Sequence, residues 1–258
     1  MANFKFKKQY GQNFLQSETI IDSIVDSINP NIDDLIIEIG PGAGALTKKL
    51  KKYNAQILAF EIDEDTKKYL SNLEDDKTKI IYEDFLEANV KENLSNIKYN
   101  NLYIIGNLPY YITTPILERI IDLNINETSL TIMVQKEVGE RFLAHTHQRE
   151  YGYMTVLLNY WYGIKKVIDA PRQFFYPKPN VDSIVIKLTK KTPREIDYNK
   201  FKNILKESFQ FKRKTISNNL KKYDKTKLEN ILSKHNATLL SRAEDLDLET
   251  FIDLSIKL

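Results

Sequence analysis

The stretch Gly106-Asn107-Leu108-Pro109-Tyr110-Tyr111 holds the most specific chemistry in the chain. A carboxamide, a main-chain carbonyl and a flat aromatic ring follow one another, and a proline stiffens the turn that aims them. This set suits work on an amine attached to an aromatic base such as adenine. The lone pair of that amine is delocalised into the ring, so it is a poor nucleophile. The Asn107 carboxamide oxygen and the Leu108 carbonyl can accept both amine hydrogens and draw the nitrogen toward tetrahedral geometry. Pro109 fixes the turn, and Tyr110 offers a face for stacking on the base, worth roughly 1–3 kcal/mol. Alone, an Asn before Leu-Pro also caps turns and tyrosines also fill cores. The surroundings decide between these readings.

A second group of residues precedes the first. Gly40-Pro41-Gly42-Ala43-Gly44 follows an apolar run, and its glycines let the backbone turn tightly against a ligand. Glu61 lies 21 residues after Gly40, at the end of the next run, where a carboxylate can accept both ribose hydroxyl protons. Asp84 ends a third run, placed for the edge of an adenine ring. Gly40, Gly42, Glu61, Ile62 and Asp84 are therefore the expected cofactor-binding residues. A glycine turn with an acidic residue also suits nicotinamide enzymes. The spacing here is G-x-G-x-G, and acidic groups after successive strands suit an adenosyl group better than a pyrophosphate, which favours S-adenosylmethionine. Transfer of a methyl from a sulfonium needs orientation more than acid–base help. No Lys-Ser/Thr pair follows the glycines, which argues against triphosphate hydrolysis.

The elements that must position these groups are legible as alternation. Leu35–Ile39, Ile57–Phe60, Lys79–Tyr82, Leu102–Ile105 and Leu130–Val134 are short β-type runs. Between them, Leu46 to Lys52, Asp65 to Leu73 and Pro115 to Leu123 have helical spacing. This pattern predicts an α/β fold, a mainly parallel sheet with helices on both faces. Ile164–Ile168 and Ser183–Leu188 add two strands at an antiparallel edge, for seven in all. Ahead of the sheet, Ile20, Ile21, Ile24, Val25 and Ile28 share one face of a helix starting near Ser17. After Leu188 a Lys-rich connector leads into helical segments near Tyr198–Phe211, Lys214–Lys222, Lys225–His235 and Leu248–Ile256. The expected domains are residues 1–188, catalytic, and 189–258, small and all-α.

Composition narrows the class. With 42% hydrophobic and 28% charged residues, the 258-residue chain can bury a sizeable core under a charged surface. No apolar run approaches the roughly 20 residues that span a bilayer, and the first residues lack the apolar stretch of a secretory signal. Cysteine is absent, which excludes disulfides and thiolate metal sites. A soluble cytoplasmic protein is expected. The net charge of +3 hides an asymmetry: Lys187 to Lys222 carries twelve Lys or Arg against three acidic residues. A basic region beside an acidic body is an electrostatic footprint of nucleic-acid binding.

Several motifs resemble one family over essentially the whole chain. Asn107-Leu108-Pro109-Tyr110 is similar to the motif of adenine amine methyltransferases. Gln12-Asn13-Phe14-Leu15, the G-P-G-A-G-A-L-T turn, Arg149-Glu150-Tyr151-Gly152, Phe175-Tyr176-Pro177-Lys178-Pro179-Asn180-Val181-Asp182-Ser183 and Phe211-Lys212-Arg213-Lys214-Thr215 resemble the small-subunit rRNA adenine dimethyltransferase A family (the KsgA family). The resemblance implies a Rossmann-like class I methyltransferase fold, with Asn13, Leu15, Gly40, Glu61, Asp84 and Asn107 against S-adenosylmethionine. It implies that Phe175, on an exposed loop held extended by Pro177 and Pro179, closes on the target base opposite Tyr110. Lys212, Arg213 and Lys214 are expected to contact RNA. The implied substrate is a pair of adjacent adenines in a 3′-terminal hairpin loop of small-subunit (16S) rRNA, within an immature ribosomal particle, and the enzyme is expected to act as a monomer. This chain has Asn180 where many members carry Lys or Arg.

Two other readings compete. A large-subunit (23S) rRNA methyltransferase of the macrolide-resistance type shares the cofactor domain and a similar N-[LI]-P-[YF] motif. A non-catalytic RNA-binding assembly factor would keep the fold but has no use for Glu61, Asp84 and Asn107. His145 and His147 lack a third ligand of suitable spacing, so no metal is expected. Trp161, beside Tyr160 and Tyr162, reads as core packing. Lys5, Lys7 and Lys8 read equally as guides for RNA phosphates or as a solvated tail.

Overall fold

The computed structural model describes residues 12–258, and Lys5, Lys7 and Lys8 lie outside the described residues. The chain forms two compact units. One runs to Gly139 and resumes over Lys165–Lys190, and the other joins Glu140–Ile164 to Lys191–Leu258. The expected division after residue 188 lies beside one crossing between units. The other two crossings, after residues 139 and 164, have no change of composition to mark them.

The first unit is built on a seven-stranded sheet. Its strands are β2 (Leu35–Ile39), β3 (Gln56–Phe60), β4 (Thr78–Ile81), β5 (Leu102–Asn107), β6 (Ser129–Gln135), β7 (Tyr162–Ala170) and β9 (Ser183–Lys190), in the order β4-β3-β2-β5-β6-β9-β7. The first five are parallel neighbours, and β9 runs antiparallel to β6 with Ser183 opposite Gln135. Every residue of β2 is buried, as a strand covered on both faces requires, and its sequence is correspondingly a run of apolar residues interrupted only by Glu38 rather than an alternation. Four residues of the sequence thus reach the same edge: the ends of β2, β3, β4 and β5 carry Gly40, Glu61, Asp84 and Asn107.

The helix Glu18–Ile28 starts where the Ser17 hydroxyl accepts the Ile20 N–H, and it ends at Asn29 in the left-handed region, φ 43°. The expected apolar face, Ile20, Ile21, Ile24, Val25 and Ile28, is buried in one cluster with Ile36, Ile105, Met133 and Val185 of the sheet. A second, two-stranded sheet was not legible in the sequence. It pairs β1 (Phe14–Leu15) antiparallel to β8 (Phe175–Tyr176), with Leu15 opposite Phe175.

The second unit is helical, with Tyr153–Trp161, Tyr198–Ser208, Ile216–Asn219, Lys225–Ser233 and Leu248–Lys257 as its main elements. Tyr160 packs on Phe201 at 4.8 Å between ring centroids, and Trp161 meets Tyr160 and Tyr198 edge-on. Burial of Phe201 and Phe251 contributes roughly 1.5–3 kcal/mol each. The aromatic contacts explain why Tyr153–Trp161 belongs with the C-terminal helices. No helix among the described residues is long and apolar enough to cross a membrane.

Candidate active site

A cavity of about 600 Å³ opens at the carboxyl ends of the parallel strands of the first unit. Such a volume is ordinary for a small-molecule site. Its walls include Asn13, Leu15, Gly40, Gly42, Glu61, Ile62, Asp84, Asn107, Leu108, Pro109 and Tyr110. Of the residues expected around the cofactor and the base, all but Phe175 line this one space.

Glu61 is 4% exposed, and each carboxylate oxygen accepts a main-chain N–H, from Gly42 at 2.9 Å and from Asp63 at 2.8 Å. Burial raises its pKa, and these two hydrogen bonds oppose the rise. Gly42 must be glycine. Its φ is +58°, and a Cβ there would sit 2.7 Å from the Phe14 ring. The turn therefore brings a bare N–H to Glu61, and the carboxylate keeps lone pairs for a diol in the cavity. Asp84 is fixed from behind by the Leu86 N–H at 2.9 Å, and Ile62, 42% exposed, offers an apolar face beside Glu61.

Glu38 is a wall residue that the sequence reading missed. It is 1% exposed, with one oxygen accepting from the Thr47 hydroxyl at 2.7 Å and the other, Oε1, without a hydrogen-bond partner. Burial pushes its pKa up to about 7, against the Thr47 hydrogen bond and with help from the Glu61 charge. The signal was one carboxylate in an otherwise apolar strand, directly before Gly40. A buried carboxyl oxygen with no donor, in a cavity whose other end presents diol-binding and ring-edge acceptors, fits a ligand that is cationic at one end and adenosyl at the other. S-adenosylmethionine has that form.

At the opposite end, Asn107 donates from Nδ2 to the Asn13 carbonyl at 2.9 Å. That bond fixes which way the carboxamide faces and leaves Oδ1 to accept. Leu108 is held through its N–H on the Met133 carbonyl at 3.1 Å. The Pro109 carbonyl is already engaged by the Ile112 N–H and the Thr113 hydroxyl, each at 3.2 Å. Among the described residues no donor reaches the Leu108 carbonyl, so it, rather than the next one, is open to an amine. The Tyr110 hydroxyl hydrogen-bonds Ser183 at 2.8 Å, which sets the plane of its half-buried ring.

Phe175 departs from expectation. Its ring is 3% exposed and belongs to the apolar core with Leu15 and Ile21, and it does not line the cavity. Pairing with β1 is the cause: alternate residues of a strand face opposite sides. Phe175 is turned inward, while Phe174 and Tyr176 are turned out, 37% and 52% exposed. Lys212, Arg213 and Lys214 lie in the second unit on an exposed turn. His147 Nδ1 lies 3.2 Å from Asp245, and no cluster of three metal-binding side chains occurs among the described residues.

A family model described as Ribosomal RNA adenine dimethylase matches residues 3–258. The chain is 42% identical to Ribosomal RNA small subunit methyltransferase A of Aster yellows witches'-broom phytoplasma (strain AYWB), over 97% of this chain and 95% of the relative. Among solved structures it is similar to a dimethyladenosine transferase from Plasmodium falciparum, with TM-score 0.77 and 23% identity over 93% of this chain and 95% of that one. It is also similar to the 23S rRNA methyltransferase ErmE, with TM-score 0.71 and 22% identity over 95% of this chain and 99% of that one. At these identities the structural likenesses establish the fold, that of the class I methyltransferases.

Proposed function

The chain belongs to the ribosomal RNA adenine dimethylase family, and from that premise we propose that it dimethylates two adjacent adenine amines in a 3′-terminal hairpin loop of small-subunit rRNA. The chain is an S-adenosylmethionine-dependent methyltransferase that acts on rRNA. The observation that carries the amine chemistry is the Asn107 carboxamide, anchored on Asn13 and offering Oδ1 beside the open Leu108 carbonyl, and the small-subunit substrate rests on the 42% identity to the relative named for it. S-adenosylmethionine, when bound, supplies a methyl group on a cationic sulfur.

The chain's own residues supply position and hydrogen bonds. Glu61 accepts the ribose hydroxyls, Asp84 accepts at the adenine edge, and Ile62 covers the ring, with Gly40 and Gly42 allowing close approach. Asn107 Oδ1 and the Leu108 carbonyl each accept a hydrogen bond from the target amine, which localises its lone pair toward the donor. Pro109 keeps the two acceptors in register, and Tyr110 stacks on the base. Holding two reactants in this way replaces much of the entropy of a bimolecular encounter. Lys212, Arg213 and Lys214 bind the RNA backbone, whose contacts contribute affinity without reading sequence.

We place this activity in the cytoplasm, performed by a monomer on an immature ribosomal particle. A large-subunit substrate is less well supported, because ErmE is similar in fold at 22% identity whereas the relative named for the small subunit is 42% identical. The test is to incubate the protein with labelled S-adenosylmethionine and undermethylated small or large subunits, then map the label. Label on adjacent adenines of the small-subunit 3′ end is the expected outcome. Label confined to the large subunit, or none, would overturn it.

A further inference from the structure

The second unit carries an exposed aromatic ring that the catalytic reading does not use. Phe211 is 57% exposed, and its ring meets no other ring among the described residues. It begins a tight turn in which its carbonyl accepts the Lys214 N–H at 2.9 Å. Asn219 clamps that turn from behind: its Nδ2 donates to the Ser208 carbonyl at 2.8 Å and to the Phe211 carbonyl at 3.3 Å. On the far side, Thr215 bridges to Arg242, and the Ile216 N–H donates to the Ser241 carbonyl at 2.7 Å. The ring thus projects from a turn braced on two sides.

The charges around it are uncompensated. Among the described residues, Arg213 and Lys214 make no ion pair or side-chain hydrogen bond, and Lys212 donates only to the neutral Arg149 carbonyl. A braced turn that presents a phenyl ring among three unneutralised cations has the complementarity of a nucleotide: a flat face for a base and charges for the flanking phosphates. A protein partner would have to supply three carboxylates around one apolar group. RNA supplies a phosphate at every residue.

We infer that Phe211 stacks on an unpaired base of the RNA while Lys212, Arg213 and Lys214 hold the adjoining phosphates. This rests on the proposed action on RNA and adds a base contact made by the second unit. It separates two kinds of affinity at one turn. The cations contribute a salt-dependent part, and the ring contributes a part that salt does not screen.

The test measures binding of the full chain to undermethylated small ribosomal subunits over a range of salt, with methyl transfer scored in the same samples. Phe211→Ala is expected to weaken binding about ten-fold at every salt concentration and to leave the slope unchanged. Replacing Lys212, Arg213 and Lys214 by glutamine is expected to flatten the slope, by roughly 0.7 for each single-strand phosphate that is no longer neutralised. Phe211→Trp should bind as the unaltered protein does, with its emission quenched in the complex. Unchanged affinity of Phe211→Ala alongside intact methyl transfer would overturn the inference, as would an unquenched Phe211→Trp. Absence of transfer by the unaltered chain would instead overturn the functional reading on which the inference rests.

Discussion

Replacing Glu38 by glutamine should stabilise the protein above neutral pH and change little in acid. The carboxyl is 1% exposed, and burial moves its pKa from the ordinary 4.5 to about 7, with Thr47 opposing and Glu61 assisting. Below the lower value the group is protonated whether the chain is folded or not. Between the two, the unfolded chain has released the proton while the folded chain retains it, so stability falls as pH rises; above about 7 the loss is complete. At about 1.4 kcal/mol for each tenfold change in proton affinity, the loss amounts to about 3 kcal/mol. Glutamine keeps an oxygen for the Thr47 hydroxyl and has no proton to lose, so the variant escapes this destabilisation. Urea unfolding of both proteins, without cofactor, at about pH 5 and about pH 8 measures the difference. The gap should widen by about 2.5 kcal/mol between those conditions, since a small part of the loss is already present at about pH 5. A gap of equal size at both would show that Glu38 does not titrate between the two values, because only titration at this site makes the gap depend on pH. Binding of the cationic cofactor should be affected in the opposite sense: affinity of the unaltered chain rises through neutral pH, and that of the variant stays flat.

Asn107→Ala should reduce kcat about a hundred-fold or more while cofactor affinity, read by calorimetry, changes far less; near-normal transfer would remove Asn107 from its amine-orienting role. Glu61→Ala should weaken cofactor binding at least about ten-fold by loss of a charged acceptor for the ribose; unchanged affinity would count against that grip. Ser183→Ala and Tyr110→Phe should each raise KM for RNA several-fold through loss of about 1 kcal/mol, and the double variant should be no worse than either. Additive effects would show that Ser183 does not act through the Tyr110 hydroxyl. Gly42→Ala should cost at least about 1 kcal/mol of stability, since both the +58° backbone and the Phe14 ring resist a Cβ. A neutral result in thermal unfolding would show that the turn can relax.

Much of the site was legible because its residues end strands. Gly40, Glu61, Asp84 and Asn107 follow apolar runs, and parallel runs deliver their carboxyl ends to one edge whatever lies between them. The Ser17 start and the Ile20 to Ile28 face were likewise local signals. Phe175 was misplaced because its burial depends on pairing with Leu15, two residues with no shared pattern in the sequence. Prolines at 177 and 179 suggested an extended exposed segment; most of the segment is exposed, the strand covers only Phe175–Tyr176, and Phe175 is the residue it turns inward. Glu38 was read as part of a strand and not as a wall, since a single polar residue in an apolar run carries no period. The Lys214–Lys222 helix shortens to Ile216–Asn219 because the Phe211 turn, closed by an Asn219 side chain, occupies its first residues.

The pairing of β1 with β8 joins positions about 160 residues apart, and the Asn13–Asn107 contact joins positions 94 apart. Closing loops of such length costs entropy that grows only with the logarithm of length, and contacts this distant form slowly. The seven-stranded sheet needs neither of them for its own ladder. A folding chain, or one clipped just after Asn13, can therefore have its sheet in place and its helices packed while the Asn107 carboxamide remains free to rotate. Circular dichroism would record such a molecule as native, and an activity assay would record it as dead. For this protein, a measured fraction of folded molecules is an upper bound on the fraction of competent ones.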